Sequence, residues 1–356
     1  METAQKKLVE NKIMEDYHLA DVLKLFSYGS ELREALERIS KSNRGALIVL
    51  SESAKDIADG GFAINSRFTS NKLAELAKMD GAIIVDSKLK KILYANALLI
   101  PDSKIKSEET GTRHKAAERA AKQLGTIVIS VSEKSSLISV YYGNQRHVLS
   151  DLSELLYKAR EVVENLEGQR VELNMYLKKF DLLEVSSLVS VSDLAQIINR
   201  LILFFRDCEM SSIYIGELGK YGETLKARYN IVTSGLKEEI NNLKKDYDRY
   251  FRTDDVIRKI KSLKTPTFEQ SKKIIDNYSR NNGQDEGKIN FGPLGYRLLS
   301  KSPLNKNEID LLISNFKELK RILYSDTSEL VRLDGIDDKK AKLIKGFLSD
   351  KIEVFQ

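Results

Sequence analysis

The sequence predicts a multidomain chain with an N-terminal α/β domain on a mixed central sheet, a helical middle spine and a small helical domain at the C-terminus. Three observations carry this. Short β-rich apolar runs alternate with helical stretches through the first 148 residues, long helical periodicity takes over from Leu149, and a glycine-rich stretch ending at Gly295 precedes the last helices. A chain of 356 residues is long enough for about two or three domains. With 42% hydrophobic and 31% charged residues it has material for real cores and is not a disordered composition.

The first helix is expected over 28–38, where Leu32, Ala35, Leu36 and Ile39 recur at spacings of three and four behind a capping Ser30. Strands follow at 46–50 (ALIVL), 82–85 (AIIV), 126–131 (TIVISV) and 137–141 (LISVY), separated by helical stretches at 70–79 and 114–124. Three of these runs are nearly continuous in apolar residues, as strands covered on both faces are, so residues 1–148 read as one domain. Residues 149–290 form the spine, with helical repeats such as Leu152, Leu155, Leu156 and Ala159, then Leu194, Ile197, Ile198 and Leu201. Residues 244–273 are dense in Lys and Arg, and the stretch from Ser279 to Gly295, with Gly283 and Gly287, reads as a boundary loop. The last domain, 291–356, holds helices over 307–324 and 338–348 with a turn at 334–337.

Several function classes lose ground on composition. Fifty-eight Lys and Arg against 52 Asp and Glu give a net charge of +6, which permits a polyanionic partner without demanding one. Cys208 is the only cysteine, so there is no intrachain disulfide and no cysteine-cluster metal site, and it is expected as a buried packing residue. Neither a signal-peptide core nor a membrane-length apolar run is present, so a soluble cytoplasmic protein without membrane partners is expected. Neither GxxxxGK[ST] nor GxGxxG occurs, and three histidines without HExxH argue against a zinc hydrolase. His18 and His147 are expected to be structural or surface residues.

Two local patterns suggest chemistry. Gly111, Thr112, Arg113, His114 and Lys115 open a helix, where unpaired backbone N–H groups and the positive dipole end favour an anion. A hydroxyl, a guanidinium, an imidazole and an ammonium on that turn make it a candidate phosphate site. Asp80, followed by Gly81 and Ala82 at the start of a strand, is an acid able to hold Mg²⁺ or Mn²⁺ against phosphates.

In this order and spacing, DGAIIVD at 80–86, LLIPD at 98–102 and GTRHKAAERA at 111–120 resemble the DGA and GTRHRAAxR motifs of the diadenylate cyclase family. The resemblance is strong over residues 20–148 and looser beyond, and it implies condensation of two ATP into cyclic di-AMP and two pyrophosphates. It implies that Asp80 binds the divalent metal and helps activate the ribose 3′-hydroxyl, and that Gly81 and Ala82 give the nucleotide room. Thr112, Arg113 and His114 would bind the triphosphate, Ser132 would contact phosphate, and Leu99 would pack against adenosine. Lys115 stands where the family has arginine, keeping charge and losing the planar fork. If each domain holds one ATP, two domains must face each other, and the family implies a homo-octamer.

LVRLDGIDDKKAKLIKGFL at 330–348 resembles a helix-hairpin-helix, whose hairpin amides meet DNA phosphate, so the resemblance makes the terminal domain a DNA-binding one. Asp337 replaces the second glycine of the usual GIG, while Lys339, Lys340, Lys342 and Lys345 remain as candidate phosphate contacts. Such contacts read DNA shape, as at branched junctions, and place the protein at the nucleoid. DNA is then expected to lower cyclase turnover. The main alternative is a DNA-binding scanning protein with a vestigial or regulatory nucleotide site; a third reading is an ATP-hydrolysing signalling protein.

Overall fold

The computed structural model describes residues 19–281 and 291–353; His18, Gly283 and Gly287 lie outside them. The chain divides into two compact units, residues 1–160 with 212–226 and residues 161–211 with 227–356.

In the first unit, helices α1 (Leu19–Lys24) and α2 (Glu31–Lys41) lead into β1 (Ala46–Leu50), and Ser30 caps α2 by accepting the Arg33 N–H. The remaining elements are β2 (Ala58–Asp59), β3 (Phe62–Arg67), α3 (Ser70–Leu76), β4 (Ala82–Val85), β5 (Lys91–Leu99), α4 (Thr112–Leu124), β6 (Ile127–Val131), β7 (Ile138–Tyr142) and β8 (Gln145–Val148). The strands form one sheet in the order β2-β5-β4-β1-β6-β7-β8, with β3 paired on β5. Among the described residues only β1 and β4 run parallel; every other pair is antiparallel, which makes the sheet mixed as expected. Alternation along β1 sends Ile48 and Leu50 into a core with α1 and α2, and Leu47 and Val49 into a second core under α4. Burial on both faces is why β1 and β4 read as continuous apolar runs.

Strands β3 and β5 were not visible as periodic runs. Asn65 and Asn96 both take positive φ, and the β3–β5 and β4–β5 registers shift, so bulges break the two-residue period.

The second unit takes residues 161–185 of α5 (Leu152–Val185), 191–211 of α6 (Val191–Leu218) and 227–233 of α7 (Glu223–Thr233), which with α8 (Leu236–Tyr247), α9 (Thr253–Ser262) and α10 (Phe268–Asn281) supply a core that includes Cys208, 4% exposed. Its burial pushes the thiol pKa up to about 12, so it is an inert packing group. The basic stretch 244–273 falls on the end of α8, on α9 and on the start of α10. A separate core joins Val185 to α11 (Tyr296–Leu299), α12 (Lys306–Phe316), α13 (Leu319–Tyr324), α14 (Thr327–Val331) and α15 (Asp338–Glu353). The single helix expected over 307–324 is two, because Lys317 turns left-handed at φ 65° and Glu318 is extended. Arg297, fully buried, binds Glu184 and Asp181 at 2.6 Å each and also Glu239. Asp246 accepts the N–H groups of Gly295, Tyr296 and Arg297 at 2.7, 2.7 and 2.8 Å, filling the start of α11. Among the described residues no helix is long and apolar enough to cross a membrane.

Candidate functional site

Sheet register brings three of the predicted positions to one end of three neighbouring strands. Leu47 pairs with Ala82 on β4, and Ala46 pairs with Val131 on β6. Gly45 stands one residue before Ala46, Asp80 two before Ala82 and Ser132 one after Val131, so all three flank the same end of the three strands. The Arg113 guanidinium lies against Gly45: a Cβ built there would fall 2.0 Å from Nη1 and 2.5 Å from Cζ. Gly45 thus lies under a candidate phosphate-binding side chain, a position that motif reading missed. An isolated glycine before a strand carries no signal until the side chain lying on it is known.

Asp80 is exposed in the bend before β4, with its carboxylate unpaired among the described residues. Gly81 has a local reason to be glycine, since its φ is +90° and a Cβ would sit 2.8 Å from the Asn96 carbonyl carbon on β5. Ala82, 0% exposed, and Leu99, 7% exposed, belong to the core under α4 with Ala97, Ala117 and Tyr141. Leu98 and Ile100, on either side of Leu99, are exposed. Ser132 Oγ accepts the Ser135 N–H at 3.2 Å, which leaves its own proton to donate.

Helix α4 begins without a cap. Gly111 makes no side-chain cap bond and the first turn holds no acid, so among the described residues no side chain caps the amides after it. Thr112 is exposed; Arg113, His114 and Lys115 are half-buried on this turn.

Behind His114 runs a chain of polar contacts absent from the motif reading. His114 Nδ1 lies 2.9 Å from Tyr141 Oη, Tyr141 donates to Glu109 Oε1 at 2.9 Å, and Arg146 Nη1 pairs with that carboxylate at 3.1 Å. Arg146 Nη2 also donates to Ser139 Oγ at 3.2 Å. Burial, the chief cause, holds the His114 pKa below its ordinary value, with Arg146 and Arg113 acting in the same sense and Glu109 against them. Burial likewise raises the Tyr141 phenol, with Glu109 adding to it, so it keeps its proton. His147 is half-buried with Nε2 3.8 Å from Glu217 Oε2.

The residues present fit the expected divalent cation in one manner. Mg²⁺ takes one or two carboxylates and fills its remaining positions with water and phosphate oxygens. The lone Asp80 carboxylate suits a cation that arrives with a triphosphate; among the described residues no group of three or more His, Cys, Asp and Glu is gathered into a cage.

At the other candidate, the hairpin between α14 and α15, Gly335 turns with φ +98°. Asp337 Oδ1 accepts the Lys340 N–H at 2.7 Å, so the start of α15 is occupied by the chain's own carboxylate. Three of the four candidate lysines are engaged within the chain. Lys340 Nζ binds Glu308 Oε1 at 2.6 Å and the Gly335 carbonyl at 3.2 Å, and Lys345 Nζ binds the Ile322 and Leu323 carbonyls at 3.0 and 2.7 Å. Lys342 pairs at the surface with Asp338.

Comparison with known proteins matches residues 33–146 to the DisA bacterial checkpoint controller nucleotide-binding family and residues 149–285 to the DisA bacterial checkpoint controller linker region. The DNA integrity scanning protein DisA of Clostridium kluyveri is 37% identical over 344 residues, 95% of this chain and 96% of that one. Its counterpart from Acetivibrio thermocellus is 35% identical over 334 residues, 92% of this chain and 93% of that one. Among solved structures, DacA from Staphylococcus aureus aligns at 28% identity over 34% of this chain and 85% of that one, with a TM-score of 0.29.

Proposed function

The chain belongs to the DisA family of diadenylate cyclases, and from that premise we propose that it condenses two ATP into cyclic di-AMP and two pyrophosphates. One observation carries the reading: an uncapped helix start bearing Thr112, Arg113 and His114, with Arg113 laid over Gly45 at the strand end that Asp80 and Ser132 also flank. Each half-reaction forms a bond from the 3′-oxygen of one ATP to the α-phosphorus of the other. The bond from that α-phosphorus to the oxygen bridging to the β-phosphate breaks, pyrophosphate leaves with the electron pair, and the 3′-hydroxyl proton passes to solvent. Two such displacements close the ring.

The first-turn amides of α4, with Thr112, Arg113 and His114, hold the triphosphate in line, and the Lys115 ammonium adds charge without arginine's fork. Ser132 donates its hydroxyl proton to a phosphate oxygen. Gly81 lets β4 enter beside β5, Ala82 keeps the floor low beneath the ribose, and Leu99 offers its residual exposed edge to adenosine. Asp80 would hold Mg²⁺ or Mn²⁺, which when bound neutralises triphosphate charge and acidifies the attacking hydroxyl. Asp80 also orients the 3′-hydroxyl. Because each site holds one ATP, the active form pairs two domains face to face in a homo-oligomer, which we take to be an octamer.

The second half of the proposal is that cyclase output answers to DNA shape, such as a branched junction, in a cytoplasmic protein resident at the nucleoid. The hairpin is the contact, and Asp337 makes it a weak one.

Product analysis by chromatography and mass spectrometry tests the reaction, using protein incubated with ATP and Mg²⁺ or Mn²⁺ beside Asp80→Asn. Cyclic di-AMP from the parent and none from the variant is expected; ADP, or no product, overturns the reading. Equal turnover with and without junction DNA overturns the coupling.

A further inference from the structure

The hydrogen-bond chain behind His114 has a direction, and the direction has a chemical consequence. A phenol carries one proton, and Tyr141 gives it to Glu109 Oε1 at 2.9 Å. The Glu109 carboxylate, paired with Arg146, can only accept. What Tyr141 Oη turns toward His114 Nδ1, 2.9 Å away, is therefore a lone pair, and Nδ1 must be the nitrogen that carries hydrogen. In a neutral imidazole that leaves Nε2 bare. Nε2 lies on the site side of the ring, since its neighbour Cδ2 is 3.5 Å from where a Gly111 Cβ would stand, at the open start of α4. A bare nitrogen cannot donate to a phosphate oxygen.

We propose that Glu109 and Tyr141 are positioning residues that fix which nitrogen of His114 bears hydrogen, so that Nε2 holds a phosphate oxygen only after taking up a proton. Nucleotide binding by this chain is then proton-coupled. The inference rests on the reading of α4 as the triphosphate site and deepens it. Tyr141 is suited to the task because it is 1% exposed, with its ring locked in the core under α4, and Glu109 is held by Arg146 from β8. The charged groups facing the imidazole are Glu109 from the loop before α4, Arg146 from β8 and Arg113 from α4 itself. In the free protein burial, Arg146 and Arg113 outweigh Glu109 and favour the neutral ring; the negative triphosphate reverses the balance. The proton comes from solvent to Nε2, and Glu109 faces the resulting imidazolium through the Tyr141 hydroxyl.

Calorimetric titration of the full-length protein with 3′-deoxy-ATP and Mg²⁺, in buffers of different ionisation enthalpy, reads this directly. The analogue lacks the attacking hydroxyl, so binding is seen without turnover. Wild-type protein is expected to take up protons on binding and to lose affinity as the pH rises from about 7 to about 9. Tyr141→Phe keeps the ring in the core and frees His114 to adopt the Nε2–H form. Its binding should be about tenfold weaker, independent of pH and without proton uptake. Glu109→Gln lets the Tyr141 hydroxyl reverse and should show the same loss of uptake. Wild-type uptake and pH slope retained in both variants, or no uptake in the wild type, overturns the proposal. Proton uptake with the analogue but no cyclic di-AMP from ATP overturns the cyclase reading alone; cyclic di-AMP without uptake overturns this one alone. Failure to bind the analogue overturns both.

Discussion

The two helix starts proposed to meet phosphate are built in opposite ways. Helix α4 follows Gly111, which has no side chain to cap with, and its first turn contains no acid. Helix α15 follows Asp337, whose carboxylate already accepts the Lys340 N–H, and a second acid, Asp338, sits in its first turn. Both ends carry the same dipole and the same orphan amides. The difference is the cap: Gly111 puts no side chain on the first amides of α4, whereas Asp337 fills that place on α15. The lysines repeat the contrast, because Lys340 and Lys345 are tied to Glu308 and to backbone carbonyls. A helix start is a binding site only when the sequence declines to cap it.

Making α4 resemble α15 breaks the comparison most severely. Gly111→Asp would place a carboxylate on the open amides and repel the triphosphate, so cyclic di-AMP production should fall by about a hundredfold or more while helix capping adds about 1 kcal/mol of stability. Gly111→Ala is the control. Its Cβ meets only His114 Cδ2 at 3.5 Å, an ordinary contact, so activity should stay near the parent's. Activity lost equally in both variants would show that backbone freedom and not the open amides is what the site needs.

The next largest effect tests Gly45, which lies outside the motifs and under the Arg113 guanidinium. In Gly45→Ala the new Cβ would fall 2.0 Å from Arg113 Nη1, and the flexible end of that side chain can move aside. The fold should therefore tolerate the change with its Tm little altered. Displacing a charge-assisted contact worth about 1.5–3 kcal/mol should lower kcat/KM roughly tenfold to a hundredfold. A variant with parent-like kcat/KM would remove Arg113 from the phosphate contacts.

Asp337→Gly converts the second helix start toward the first. Removing the cap should cost about 1 kcal/mol of stability, and junction-DNA affinity should rise several-fold with a steeper salt dependence. Fluorescence titration at two salt concentrations reads both, and unchanged DNA affinity would mean that the hairpin amides are not where DNA sits. Cyclase turnover without DNA should not move.

How much of this was legible in the sequence differs between the same two regions. The central strands announced themselves because burial on both faces makes apolar runs, and the opening of α4 was readable because glycine followed by Thr, Arg and His is an uncapped, cation-bearing turn. Strands β3 and β5 were hidden by the left-handed residues Asn65 and Asn96, which interrupt a two-residue period without any residue type that forbids it. Gly45, Glu109 and Tyr141 were hidden for another reason: their parts in the site depend on partners 68, 32 and 27 positions away in the chain, which only the sheet register and the packing of α4 bring together. At the hairpin the substitution of Asp337 was visible, but not its cause of effect. The side chain does not merely lack glycine's freedom; it occupies the amide that a phosphate would need.

The smallest expected effect concerns stability, and it too separates an open start from a filled one. His114 stands in the first turn of α4, where burial first, then Arg146 and Arg113, disfavour its positive form, and the uncapped dipole end acts in the same sense. Its folded pKa therefore lies below the unfolded value of about 6.5, so the unfolded chain binds the proton more tightly. The stabilisation from a neutral His114 is present in full above that unfolded value and is lost as the pH falls through it toward the folded one. Ligand-free protein should lose a small part of its thermal stability on acidification across that window, and His114→Asn should lose less. Adding 3′-deoxy-ATP and Mg²⁺ should reverse the sign for the parent, because a bound triphosphate raises the folded pKa above the unfolded one and makes protonation stabilising. A parent and variant with parallel Tm profiles, with and without the nucleotide, would mean that no anion at this helix start ever meets the imidazole.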